Sequence, residues 1–205
     1  MVKIVAVDDH QMVRAGLEQL LSTEHDLALV GVATDGKEAV EVVARERPNV
    51  VLMDLSMPGG DGVEATEMIT KQYPECKVLV LTSFSDQKRI TEAFDAGADG
   101  YLLKHSEPDV IIAAIRATHV GDSPVDPKVA RVLLNSRRLR SLAEHLSERE
   151  REVLGLVRDG LSNRLIAHRL ELTERTVKSH LTRIFHQIEV SDRTQAAVWA
   201  VRNLA

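Results

Sequence analysis

Five short apolar runs, at residues 4–7, 27–33, 50–53, 78–81 and 101–103, alternate with stretches near 11–22, 36–46, 62–73, 87–96 and 108–119. The runs are bounded by turn formers and are too short for helices, so they read as buried strands. In the intervening stretches apolar residues recur at three and four, which reads as amphipathic helix. Strict alternation of strand and helix predicts a parallel sheet covered on both faces, with right-handed crossovers. The expected fold is an α/β flavodoxin-like domain, doubly wound, with five parallel strands in the order 2-1-3-4-5.

Past Gly121 the pattern changes. Gly121-Asp-Ser-Pro-Val-Asp-Pro127 breaks the chain. Residues 128–140 place Val129, Val132 and Leu133 beside Arg131, Arg137, Arg138 and Arg140, read as a short helix followed by a basic tether. Four short helices then follow, each with a start signal. Ser147-Glu-Arg-Glu150 is a capping box for a helix stopping at Gly160, and Ser162 and Thr173 cap the next two. Asp192-Arg-Thr-Gln195 is a second capping box. Only Glu171 and Leu172 separate the second of these helices from the cap of the third, which predicts a tight helix-turn-helix. Three segments result: an α/β domain over 1–121, a linker over 122–141 and an all-α four-helix domain over 142–205.

Charge divides along the same lines. Residues 1–121 hold 11 Lys and Arg against 20 Asp and Glu, whereas 122–141 hold 5 against 2 and 142–205 hold 10 against 9. The second half is thus the better match to a polyanion. Cys76 is the only cysteine, so an intramolecular disulfide or a multi-cysteine metal site is excluded. Apolar runs such as residues 110–115 are far too short to span a bilayer. The first residues lack the pattern of a secretory signal, and a cytoplasmic location with no membrane partner is expected.

Polar residues gather where the five strands end. Asp8 and Asp9 follow the first, Asp54 the third, Thr82 and Ser83 the fourth, and Lys104 the fifth. In order 2-1-3-4-5 the crevice opens between strands 1 and 3, so Asp8, Asp9 and Asp54 face one another. Three carboxylates repel, and a hard divalent cation such as Mg²⁺ neutralises them. Asp54 would then be an ionised nucleophile, with Lys104 neutralising an incoming anion and Thr82 donating to it, a constellation suited to phosphoryl transfer. Each residue also has a plainer reading, as a helix cap, a turn residue or a solvated charge.

Asp8-Asp9-His10, Asp54-Leu-Ser-Met-Pro-Gly-Gly-Asp-Gly62, Leu81-Thr82-Ser83 and Gly100-Tyr-Leu-Leu-Lys104 resemble the CheY-like receiver domain of two-component response regulators. The resemblance implies that Asp54 accepts phosphoryl from a sensor histidine kinase. It also implies that Asp8, Asp9, Asp54 and the Ser56 carbonyl hold Mg²⁺, that Lys104 meets the phosphoryl group, and that Thr82 and Tyr101 are switch residues drawn inward. Ser56 and Phe84 occupy positions that often govern water access, and an apolar Phe84 would slow hydrolysis unless it merely packs. His105 stands where a proline commonly follows the lysine, which leaves the usual cis peptide there open.

The helix opened by Thr173 keeps Val177, Leu181 and Ile184 on one stripe and puts Arg175, Lys178, Ser179, Thr182 and Arg183 on its other faces. These are groove-reading and phosphate-binding residue types, although a solvated amphipathic helix would look the same. Leu146-Ser-Glu-Arg-Glu-Arg-Glu-Val-Leu154, Gly160-Leu-Ser-Asn163 and Thr173-Glu-Arg-Thr-Val-Lys-Ser-His180 resemble the LuxR-type helix-turn-helix, and the whole chain resembles the NarL/FixJ class. The resemblance implies base contacts by Lys178, Ser179 and Thr182. It implies phosphate or positioning contacts by Asn163, Thr173, Thr176, His180 and Arg183, with Arg175 on the same helix. Leu165 stands where Glu is common, and Glu189 where Gly or Asn is common, so the left-handed turn expected there is open. Asp8-Asp-His-Gln-Met-Val-Arg14 and Ile188-Glu-Val-Ser-Asp-Arg-Thr-Gln-Ala196 resemble the LiaR/VraR branch, associated with cell-envelope stress.

In that class the last helix pairs two DNA-binding domains on an inverted repeat, so Trp199 either supports a dimer or completes its own core. The expected function is transcription regulation, in which phosphorylation of Asp54 promotes a homodimer that binds double-stranded DNA. Such a receiver catalyses only its own phosphoryl transfer and dephosphorylation. The alternatives are a phosphatase, which would want an acid where Ser56 stands, and a phosphorylation-independent DNA binder whose receiver serves protein contacts only.

Overall fold

The computed structural model describes residues 1–58, 60–83 and 87–204. Gly59 and Phe84, and with Phe84 the expectation about water access, lie outside the described residues, as do the side chains of Arg137, Arg138 and Arg140.

β1 (Val2–Val7) is the centre of the first unit. Ile4 and Ala6 turn to one face and Val5 and Val7 to the other, and all four are buried, because both faces of the sheet are covered. The strands β1, β2 (Leu27–Ala33), β3 (Val50–Met53), β6 (Lys77–Thr82) and β7 (Gly100–Leu103) lie in the order β2-β1-β3-β6-β7 and pair in parallel throughout. This is the predicted topology. A two-residue hairpin of β4 (Ser56–Met57) and β5 (Gly60–Asp61) stands apart.

Helices α1 (Gln11–Ser22) and α5 (Pro108–His119) supply Leu17, Leu21, Ile111, Ile112 and Ile115 to the cluster on the Ile4 face. Helices α2 (Gly36–Glu46), α3 (Gly62–Gln72) and α4 (Gln87–Asp95) supply Val42, Val43, Ile69, Ile90 and Ala93 to the other. Cys76 is buried there, and burial pushes its thiol up to about 12, so it is inert at neutral pH.

The stretch expected as a linker is more ordered than a tether. Val125 bridges in parallel to Tyr101, and a single helix, α6 (Pro127–Glu144), follows. No Gly or Pro interrupts residues 128–144, so the basic residues continue the helix rather than ending it. The chain divides into two compact units, 1–133 and 134–205.

In the second unit α7 (Glu148–Arg158), α8 (Asn163–Arg169), α9 (Glu174–Gln187) and α10 (Arg193–Asn203) surround Leu154, Ile166, Val177, Ile184 and Trp199. Ser147 accepts from Glu150 N–H, and the Glu150 carboxylate accepts from Ser147 N–H at 3.0 Å, closing the predicted capping box. The Ser147 hydroxyl bond is the main reason the Glu150 carboxyl sits below its ordinary range. The second box closes differently: Asp192 accepts from Gln195 N–H at 2.8 Å, but the Gln195 carbonyl reaches Ser191 N–H at 3.1 Å instead of Asp192. Trp199 is 6% exposed and packs in its own unit's core, whereas Val198 and Val201 on the same helix are exposed.

Glu189 adopts the left-handed conformation, with φ 57°, so the turn after α9 forms without glycine. Holding a side chain there costs roughly 1–2 kcal/mol. Glycine's greater freedom in the unfolded chain offsets roughly 0.4–1 kcal/mol of that. Glu189→Gly is therefore expected to stabilise the protein by about 0.5–1 kcal/mol, measured as a raised urea midpoint at unchanged slope.

Candidate functional site

The strand ends converge as the topology requires. Asp54 leaves β3 with its N–H donating to Val7 O at 2.9 Å, and Lys104 leaves β7 with its N–H donating to Thr82 O at 2.9 Å. The Lys104 ammonium stands between two carboxylates, 2.6 Å from Asp8 Oδ2 and 2.8 Å from Asp54 Oδ2. Asp8 and Asp54 are 2% and 3% exposed, and Thr82 and Tyr101 are fully buried. Burial pulls the Lys104 pKa down, but the hydrogen bonds and charges of Asp54 and then Asp8 outweigh it, and the net direction is upward. The ammonium therefore stays charged throughout the physiological range.

Two polar atoms here lack a hydrogen-bond partner among the described residues: Thr82 Oγ1 and Asp9 Oδ1. His10 Nδ1 lies 2.8 Å from Asp9 Oδ1 and 3.4 Å from Asp8 Oδ1, without forming a hydrogen bond to Asp9. Asp8, Asp9 and His10 offer ligand atoms within 4.8 Å of one another, a cluster able to hold a metal ion. His10 is absent from the ligand set read from the sequence. Ser56, expected to contribute its carbonyl, donates its N–H to Asp54 Oδ1 at 3.3 Å. The Lys104–His105 peptide is trans.

Three further residues, none of them expected in the site, support it. Arg14 donates to Asp8 O at 2.5 Å, and Arg89 donates to Leu55 O at 2.9 Å, fixing the backbone on either side of the crevice. Both look like ordinary surface arginines until the fold closes. Gly62 ends the motif that begins at Asp54, and a Cβ there would meet Asp54 O at 2.1 Å and Leu55 Cα at 2.8 Å. Both neighbours are backbone and cannot swing aside. Gly62→Ala should cost about 1–3 kcal/mol in a urea titration, outweighing the gain in helix propensity, and should displace the Asp54 carboxylate.

In the second unit Arg175, Lys178, Ser179, Thr182 and Arg183 are exposed along α9, while Val177, Leu181 and Ile184 face inward. Thr173 caps α9, accepting from Thr176 N–H at 3.1 Å, and the two hydroxyls lie 2.8 Å apart. The Thr182 hydroxyl donates to Lys178 O, and Arg183 lies 3.2 Å from His180 Nδ1. Asn163 Oδ1 accepts from Arg193 at 2.8 Å, which ties the start of α8 to α10.

A response regulator receiver domain model matches residues 4–116, and a model of bacterial regulatory proteins of the luxR family matches residues 144–200. The chain belongs to the LuxR-family two-component response regulators. It is 43% identical over 203 residues to the response regulator protein VraR of Staphylococcus aureus, covering 98% of this chain and 97% of that one. That similarity supports the LiaR/VraR branch. The response regulator ChrA of a heme-sensing two-component system is 34% identical, with TM-score 0.56 over 98% of this chain and 96% of that one. RcsB of Salmonella typhimurium shares the fold at 24% identity, with TM-score 0.78 over 98% of this chain and 100% of that one. The receiver is the α/β sheet unit, and the LuxR-type DNA-binding domain is the helix-turn-helix unit. Among the described residues no helix is long and apolar enough to cross a membrane.

Proposed function

We propose that this response regulator is switched by phosphorylation of Asp54, and that the phosphorylated form dimerises and binds an inverted repeat in double-stranded DNA. The observation that carries the reading is the Lys104 ammonium held between the buried Asp8 and Asp54 carboxylates. An oxygen of Asp54 attacks the phosphorus of a phosphohistidine on a sensor histidine kinase. The new P–O bond forms as the P–N bond breaks and the imidazole leaves. Lys104 then pairs with the phosphoryl oxygens, and the unpartnered Thr82 hydroxyl donates to one of them. Asp8, Asp9, Asp54 and the Ser56 carbonyl would hold Mg²⁺, which supplies charge neutralisation; the buried Asp9 Oδ1, which accepts no hydrogen bond, fits that role.

Tyr101 is the switch aromatic in this reading; it is buried and stacked on Phe94 with ring centroids 6.1 Å apart. On α9, Lys178, Ser179 and Thr182 read bases. Arg175, Thr176, His180, Arg183, Thr173 and Asn163 take phosphate or positioning roles, Thr173 as the helix cap and Asn163 held by Arg193. RcsB has been solved as a complex with DNA, which supports the same use of this fold. The residues assigned here suit a cytoplasmic regulator whose only chemistry is its own phosphoryl transfer and loss. The domains divide as a receiver over 1–121, a linker over 122–141 and a DNA-binding domain over 142–205.

The test measures DNA affinity and molecular mass together, with Mg²⁺ and with or without beryllium fluoride. Dimer formation and tighter binding to an inverted repeat only with beryllium fluoride are expected. Equal binding in both conditions would favour a phosphorylation-independent regulator.

A further inference from the structure

The segment that leaves the receiver is hydrogen-bonded to the switch residue itself. Tyr101 N–H donates to Pro124 O at 2.9 Å, and Asp126 N–H donates to Tyr101 O at 2.9 Å. Val125 thereby forms an isolated parallel bridge on the outer edge of β7, covering part of an edge that would otherwise be exposed. Gly100 permits the approach, since a Cβ there would stand 2.8 Å from Pro124 O. One residue later, Asp126 uses its carboxylate to accept from Lys128 N–H at 2.7 Å and starts α6. Val129, in the first turns of α6, is fully buried in the same apolar cluster as Tyr101, with Val125, Val132 and Leu133 packed against it.

Both backbone groups of Tyr101 and the cluster around its ring are thus shared with residues 124–133. We propose that this segment is a latch coupled to the switch: the inward position of Tyr101 and the docked start of α6 form and break together, so phosphorylation tightens residues 124–133. Moving the ring outward would open the cluster that buries Val129 and shift the backbone that bonds Pro124 and Asp126. Because α6 continues by chain connection toward the DNA-binding unit, the state of Asp54 is passed through the linker as well as through the receiver surface. The latch deepens the phosphorylation reading of the preceding section and rests on it for its signal.

The test is hydrogen–deuterium exchange on the full chain with Mg²⁺, with and without beryllium fluoride, beside phosphoryl incorporation from acetyl phosphate and DNA affinity. Exchange in peptides covering 124–133 should slow several-fold on adding beryllium fluoride. Val129→Ala, which alters no residue of the acidic crevice, should accept phosphoryl as the wild type does, which also shows that it is folded, yet lose at least fivefold of the gain in DNA affinity. The latch is overturned if 124–133 exchange equally in both conditions while DNA affinity rises, or if Val129→Ala keeps the full gain. Slowed exchange at 124–133 without any gain in DNA affinity would support the latch and remove the proposed function instead.

Discussion

Asp54→Asn is expected to take up no phosphoryl group from acetyl phosphate or a kinase, and to show no gain in DNA affinity with beryllium fluoride. The amide has no anionic oxygen for attack at phosphorus, and the Lys104 ammonium is left paired with Asp8 alone. The loss should be complete, since the covalent acceptor itself is gone. Stability should move the other way. In the wild type two buried carboxylates share one ammonium, and the substitution leaves a matched Asp8–Lys104 pair. Thermal denaturation without Mg²⁺ should therefore show a melting temperature equal to or above that of the wild type. A variant that still becomes labelled at an acid-stable site would show that Asp54 is not the acceptor, and one that melts far lower would show that the shared ammonium does not limit stability.

Lys104→Ala should reverse that balance. It leaves Asp8 and Asp54 buried and facing each other without their cation, and losses of about 3–5 kcal/mol follow when one partner of a buried pair is removed. The Lys104 side chain keeps 13% of its exposure, so the lower end, about 3 kcal/mol, is expected. Divalent cation should restore much of this, because it neutralises the same carboxylates, and urea titrations at rising Mg²⁺ would show it. The pH dependence carries a second signature. The Lys104 pKa is raised in the folded protein, so its contribution is fully present below about 10.5 and is lost as pH rises through the raised value. An alkaline loss of stability seen in the wild type should be absent from the variant. Phosphoryl uptake should also fall steeply, since the site loses the ammonium that pairs with the incoming oxygens.

The receiver was legible because its rules are local. Three- to seven-residue apolar runs between turn formers read as buried strands, and the β2-β1-β3-β6-β7 order follows from packing βα units right-handedly. That order is what brings Asp8, Asp54, Thr82 and Lys104 together from positions 8 to 104, so the principal site could be read along with the fold. The helix starts were equally readable, since Ser147, Ser162, Thr173 and Asp192 each satisfy an N–H within three residues. The linker was read less well. Its prolines and glycine signal a break in local structure, but a break does not show whether the chain then leaves the domain or docks on it.

What the sequence determined by itself is whatever depends on neighbours in the chain: the elements, their caps, the parallel order and the acidic crevice. Tertiary structure alone decided that Arg14 and Arg89 hold backbone carbonyls, that Gly62 must lack a Cβ beside Asp54, and that residues 124–126 bond to Tyr101. Each of these joins groups that approach only after the sheet has formed, through backbone atoms that every residue carries. A hydrogen bond to a carbonyl leaves no residue-type signature at the accepting position, so no pattern of side chains could have announced it.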